Sequence, residues 1–324
     1  MLMLKTFVFP SVCHPFEGML APSSEDGSFA PLVLKFREKE YLVGEVPDIL
    51  DEINSVSPFG AKFQLLARMA LLLADTEDGG RVSLTVSLPS FLYAYRDMVE
   101  KSLQGKITVD FGASQVCKEY ISRVIDISHL QVISRLESCI TAIRRGNIRE
   151  EGDFLVVNLG QGACEAAVSI AGTPAGRQFC ARGIRAGIDL GIGSESLQQA
   201  LFGRQTAKAS VPRLRKEVLR RYYQDVVSSS IRDVLSGQND DCPKIYLCGD
   251  GASYPELVQC FRDEFGGRFP VLVYPSPEKC ASQGCSIQAM SARQRFSETP
   301  GSALAVGLDV DDRYTCVSVS RGKL

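Results

Sequence analysis

Twice in this 324-residue chain an apolar run ends in a carboxylate or its amide, turns over a few residues, and returns as a second run. Leu304 to Val310 carries Asp309, Asp311-Asp312-Arg313 make a polar turn, and Tyr314 to Ser320 alternates as the returning strand. Phe154 to Leu159 carries Asn158, Gly160-Gln161-Gly162 make the turn, and Cys164 to Ile170 returns. Alternation bounded by turn residues specifies a hairpin, and an unbroken apolar run such as 154–159 specifies a strand buried on both faces. A motif repeated in this way predicts two similar half-domains facing one another. With Leu324 joined to Met1, the run Met1 to Pro10 would follow the C-terminal copy as a third strand.

Composition narrows the classes. Hydrophobic residues make up 45% and charged residues 23%, as in ordinary globular proteins, and the length suggests two domains. The longest apolar run, about Met69 to Ala74, is too short for a membrane span. The first ten residues lack a basic start and a small-residue cleavage site, so they read as a strand rather than a signal peptide. Eleven cysteines without a CxxC pair point to reduced thiols and a cytoplasmic setting. With only His14 and His129, neither a zinc site nor a His-dependent catalytic triad is expected. A net charge of −2 argues against direct nucleic-acid binding.

The remaining pattern alternates strands and helices. Pro31 to Phe36 and Tyr41 to Val43 make a hairpin with a charged tip, and Phe63 to Ala74 is a helix apolar nearly all round, hence buried. A strand follows over Arg81 to Leu88, a helix over Tyr93 to Leu103, a strand over Lys106 to Phe111 and a helix over Leu136 to Arg145. Gly187 to Gly193 is a glycine-rich link into a helix over Ser194 to Phe202, and Arg213 to Tyr223 is a basic amphipathic helix. Ile245 to Cys248 is a strand, Gly249-Asp250-Gly251 a turn, and Ser253 with Glu256 a capping box. A strand over Val271 to Tyr274 and a helix over Glu278 to Arg293 complete the pattern.

In circular order these pieces resemble the ParM-type plasmid-segregation actins and the archaeal actin-like proteins, within the superfamily of actins, heat-shock chaperones and sugar kinases. Tyr41-Leu-Val-Gly-Glu45, Leu88-Pro89 and Ala281-Ser-Gln-Gly284 are similar to strand-end and return-helix segments of that family. The resemblance implies an α/β, actin-like (ribonuclease H-like) two-domain fold with a nucleotide cleft, circularly permuted so that the first phosphate hairpin is C-terminal. Residues 1–148 plus 278–324 would form one domain, with a small insert at about 11–60, and residues 149–277 the other.

The resemblance also implies ATP or GTP with Mg²⁺ in the cleft. Asp309, Asp311, Asp312, Arg313, Tyr314 and Thr315 would face the phosphates from one side; Asn158, Gly160, Gln161, Gly162 and Ala163 would cradle them from the other. Gly249, Asp250 and Gly251 would lie along the nucleoside, and Glu217 would reach the base or ribose. Glu137 and Gln161 are the candidates for orienting the attacking water, and Asp309 and Asn158 for holding Mg²⁺ through its waters. Each acid also has a plainer reading, Asp309, Asp311 and Asp312 as turn formers and Glu137 as a solvated helix charge. The chain departs from the family pattern in its Asp311-Asp312 pair, in Cys316 where many members have a lysine, and in Asn158 where an Asp is usual. Extra negative charge repels a triphosphate, and loss of a carboxylate weakens Mg²⁺. Three functions are therefore expected in competition: a head-to-tail filament with slow hydrolysis that positions DNA through an adaptor protein, a nonhydrolysing scaffold with a degenerate site, and, least favoured because the length leaves no insert large enough to supply its catalytic Asp, a small-molecule kinase on the same fold.

Overall fold

The computed structural model describes residues 4–16, 32–44, 56–57, 60–74, 76–113, 120–185, 211–236, 244–296 and 303–320. The expected glycine-rich link and the helix over Ser194 to Phe202 lie outside the described residues. The strands are β1 (Leu4–Pro10), β2 (Cys13–Pro15), β3 (Leu32–Phe36), β4 (Lys39–Val43), β5 (Gly80–Leu88), β6 (Gly105–Ala113), β7 (Ile121–Ser134), β8 (Phe154–Leu159), β9 (Ala163–Ile170), β10 (Thr173–Arg182), β11 (Ile245–Cys248), β12 (Val271–Val273), β13 (Ala303–Val310) and β14 (Tyr314–Ser320). The α-helices are α1 (Ala61–Leu73), α2 (Arg96–Leu103), α3 (Arg135–Arg145), α4 (Val211–Tyr222), α5 (Ser228–Ser236), α6 (Pro255–Phe265) and α7 (Cys280–Phe296). Among the described residues no helix is long and apolar enough to cross a membrane.

The strands form two sheets, ordered β1-β14-β13-β5-β7-β6-β3-β4-β2 and β10-β9-β8-β11-β12. The smaller sheet is an antiparallel meander, β8 to β10, extended by β11 parallel to β8 and β12 parallel to β11. The larger repeats this plan: β13, β14 and β1 make the meander, with β5 parallel to β13 and β7 parallel to β5. Its third meander strand comes from the other end of the described chain, Leu4 lying opposite Ser320. The expected adjacency of the first and last strands is therefore present.

Side-chain alternation decides what covers each face. Along β13, Val306, Leu308 and Val310 join the core beneath α1, whose Phe63, Leu65, Leu66, Met69 and Leu71 are buried as its all-round apolarity predicted. The opposite face of β13 carries Ala305, packed on Ala289 and Met290 of α7. A Cβ on Gly307 would fall 2.1 Å from the Ser286 nitrogen, so glycine lets α7 lie directly on the sheet. Hydroxyls finish this close contact: Ser83 donates to the Ala289 carbonyl, and Ser282 shares a hydrogen bond with Ser318. In the smaller sheet every residue of β8 is buried; α3 covers one face and α4, α5 and α6 the other.

Three further strands escape the sequence reading, the short β2, β10 and the fourteen-residue β7. One predicted feature is corrected: the capping box at Ser253 and Glu256 does not form. Helix α6 begins at Pro255 with Tyr254 at its N-cap and no side-chain cap, because proline pre-sets the first helical φ and Glu256 instead binds Arg215 at 2.6 Å.

Between the sheets α3 and α7 cross at Gly284, where a Cβ would lie 1.8 Å from the Ser138 carbonyl oxygen. Gly284→Ala must push two backbones apart and is expected to destabilise by about 3 kcal/mol, the upper end for overpacking. Gly267→Ala meets open space and should stay within about 0.5 kcal/mol of wild type. Urea midpoints at constant m-value check this; equal midpoints for the two variants would show that the crossing is not tight.

Candidate functional site

The ends of β13, β8 and β11 converge with the starts of α3 and α7 on one cavity. Its lining includes Arg135, Asn158, Gly160, Gly249, Asp250, Glu278, Asp309, Asp311, Tyr314 and Cys316. Seven of the residues singled out from the sequence are thus brought together: Asn158, Gly160, Gly249, Asp250, Asp309, Asp311 and Tyr314.

At its centre is an ion pair. Arg135, the first residue of α3, is 1% exposed and donates from Nε to Asp309 Oδ1 at 2.9 Å, from Nη2 to the Val310 carbonyl at 3.0 Å and from Nη1 to Asp311 Oδ1 at 3.5 Å. Ser87 at the end of β5 gives Asp309 a further hydrogen bond. Burial works against the Arg135 charge, but the Asp309, Asp311 and Glu165 carboxylates outweigh it and raise the pKa. Burial pushes the Asp309 carboxyl up, with Arg135 and Ser87 holding it down in part. Cations and carboxylates removed from water need such matched partners.

The second contact joins the two hairpin turns. Asp311 Oδ2 accepts the Gln161 backbone N–H at 3.0 Å, and a Cβ on Gly160 would lie 2.9 Å from that same oxygen. A Cβ on Gly162 would lie 2.8 Å from Asp312 Oδ2. The glycines of the 160–162 turn therefore admit the two carboxylates against the backbone. Gln161 Nε2 donates to Asp250 Oδ2 at 2.6 Å, and Arg313 approaches the same oxygen at 3.8 Å while donating to the Tyr254 hydroxyl. Burial, then the charge of Asp311, lifts the Asp250 pKa to about 7 against the pull of Arg313 and Gln161.

Other expected residues sit outside the lining. Asp312 accepts the Val56 N–H and Thr315 pairs with Ser11 at 2.8 Å. Gly251 is packed beneath the second hairpin, where a Cβ would meet Leu159 and Ile184, and the Ala163 carbonyl accepts the Gly160 N–H. Glu217 is exposed on α4. Glu137 is half-buried near the start of α3, its N–H capped by Ser134 and its pKa raised by burial. Residues two apart on a helix point about 200° from one another, so Arg135 facing the cavity turns Glu137 away. The sequence signal for Arg135 was its place at the junction of a long strand and a helix, which was legible only with β7 recognised.

Among the described residues, the site as arranged has its anion-binding donors taken and little open space for a nucleotide. The cavity holds about 20 Å³, room for about one water molecule, and the turn N–H that would meet a phosphate already meets Asp311. Cys316 offers a thiol that reaches the Glu278 carbonyl and no positive charge.

The two meander-plus-parallel sheets and the crossing helices between them are the architecture of the actin-like proteins. The structure is similar to the archaeal actin homolog Ta0583, with a TM-score of 0.60 and 15% identity over 89% of this chain and 92% of that one. It is also similar to ParM of Bacillus thuringiensis solved with ATP (TM-score 0.56, 14% identity, 90% and 92% covered) and to Alp12 in its filament (0.54, 12%, 88% and 89%). No protein-family model matches the sequence, and no curated protein matches it at a significant level.

Removing one partner of a buried ion pair strands the other charge. Arg135→Met should destabilise by about 3–5 kcal/mol, and the double change with Asp309→Asn should recover most of it. Chemical denaturation of the three variants measures the coupling; simple addition of the two single losses would mean that the pair is not the tie described.

Proposed function

We propose that this chain is an actin-like assembly protein that associates head to tail with copies of itself and whose nucleotide site is filled by its own carboxylates, so that assembly runs without turnover of ATP or GTP. Asp311 carries the reading. Its two oxygens take the Gln161 N–H and the Arg135 guanidinium, the kind of donor pair an anionic phosphate needs. A second anion there meets Asp309, Asp311 and Asp312 rather than a lysine, and a divalent cation finds Asn158 in place of one carboxylate. Self-association is supported by the fold shared with Alp12, which was solved as a filament; contacts that do not close give open polymers. Positioning of DNA or another cargo through an adaptor protein is the task we attach to such a polymer.

We further propose that the chain is circularly permuted relative to its actin-like neighbours. The larger sheet has the strand order of the smaller one, but the chain enters its meander at the third strand. The register of Leu4 with Ser320 supports a cut between the second and third strands, since turns are where such cuts are tolerated.

A second reading has a specific basis. ParM of Bacillus thuringiensis was solved with ATP, and the donors that Asp311 uses are ones a γ-phosphate would compete for, so a nucleotide could displace Asp311 and open the cleft. Calorimetry with Mg-ATP and Mg-GTP, beside sedimentation of the protein alone, separates the two. The first reading expects pelleting without nucleotide and no binding heat, with Asp311→Gly gaining measurable affinity. Tight binding by the wild type, with phosphate release only above a threshold protein concentration, would transfer the assignment to a nucleotide-driven filament.

A further inference from the structure

Away from the carboxylates, three cysteines distant in sequence meet at one point. Cys139 lies in α3, Cys248 ends β11 and Cys280 begins α7. Their Sγ atoms all lie within 4.8 Å of one another, and each residue is 0% exposed. A single buried thiol is a small apolar filler; three sulfurs turned toward a common centre are a ligand set.

The distances suit one ion. Metal–sulfur bonds of about 2.3 Å place trigonal ligands about 4.0 Å apart, a spacing these side chains reach by small torsional changes. Among the described residues no histidine or carboxylate belongs to the group, whereas a structural zinc site closes with four ligands. Soft thiolates select Cu(I), zinc or iron–sulfur clusters, and zinc and the clusters take four protein ligands, which leaves Cu(I) for three.

We propose that Cys139, Cys248 and Cys280 form a three-thiolate site for one thiophilic monovalent ion, with Cu(I) as its ion. Binding replaces three S–H protons by three Cu–S bonds, releases three protons and involves no change of oxidation state. The ion ties α3 and β11 of the smaller sheet to α7 of the larger, beside Gly249 and Ala281 of the cavity. It therefore staples the two halves at the crossing of α3 and α7.

The test uses the reduced, full-length protein under anaerobic conditions, with Cu(I) presented from a competing chelator. The expected result is one Cu(I) per chain, a rise in Tm, and protection of three thiols from alkylation, mapped by mass spectrometry to these positions. Cys248→Ser should weaken binding by more than about 100-fold, beyond the effect of losing an outer-shell partner, while Cys180→Ser, at an exposed cysteine, should leave it unchanged. Because a core variant can misfold, Cd(II) added to the wild-type protein gives a second readout: the thiolate-to-metal absorption should correspond to three Cd–S bonds per chain. Copper left on the chelator, protection at other cysteines, or fewer than three Cd–S bonds would overturn the site.

Discussion

The Arg135 guanidinium is the interaction on which the arrangement of the two halves depends. It is held by Asp309, the Val310 carbonyl and Asp311, all at the end of one sheet, yet it is the first residue of a helix packed on the other. The chain leaves β7 at Ser134 and changes sheets at the next residue. A cation buried at that step cannot shift without exposing or stranding a carboxylate, and stranding it costs about 3–5 kcal/mol. The ion pair thus fixes the angle at which α3 leaves the first sheet. Glycines then set the spacing, since Gly284 of α7 admits α3 on one side and Gly307 of β13 admits α7 on the other.

The small inner face explains a departure from ordinary helix design. Helix α7 has buried residues around much of its circumference, among them Cys280, Ser282, Cys285, Ser286, Ile287, Ala289 and Met290, because it has a sheet on one side and a helix on the other. Such an element cannot show one apolar stripe. Ser282 of α7 pairs with Ser318, and Ser320 of β14 donates to the Met290 sulfur, while the buried Ser286 hydroxyl has no partner, so the interior contact is made by backbone proximity and small side chains rather than by large ones.

What the sequence revealed follows from the same physics. Elements with one environment along their length were legible: the doubly buried β8, the all-apolar α1, the paired hairpins and the strand Leu4–Pro10 that completes the larger meander. The strand β7 was not, because it changes partners along its length. Gly105 to Phe111 pair with Ile127 to Ile121, and Gly80 to Leu88 with Ile125 to Ser134 across a bulge, so Ile121 is 60% exposed while Ile125 is buried. Missing β7 hid Arg135 at its end and left Glu137 as the visible charge. The capping box failed for a local reason, Pro255, and the cysteine cluster was invisible because only the fold joins its three segments.

The carboxylate of Asp311 connects the fold to its use. Glycine turns of the 160–162 kind present N–H groups because they have no side chains to cover them, and such N–H groups attract whatever anion can reach them. A phosphate from solution must give up hydration and translational freedom to arrive, whereas Asp311 is already attached three residues before the Tyr314 whose carbonyl accepts its own N–H. At equal contact strength the tethered anion wins, and on the proposed reading closing the cleft becomes a property of the folded chain rather than of a ligand. An actin-like subunit organised this way would hold one arrangement for as long as Asp311 keeps the Gln161 N–H.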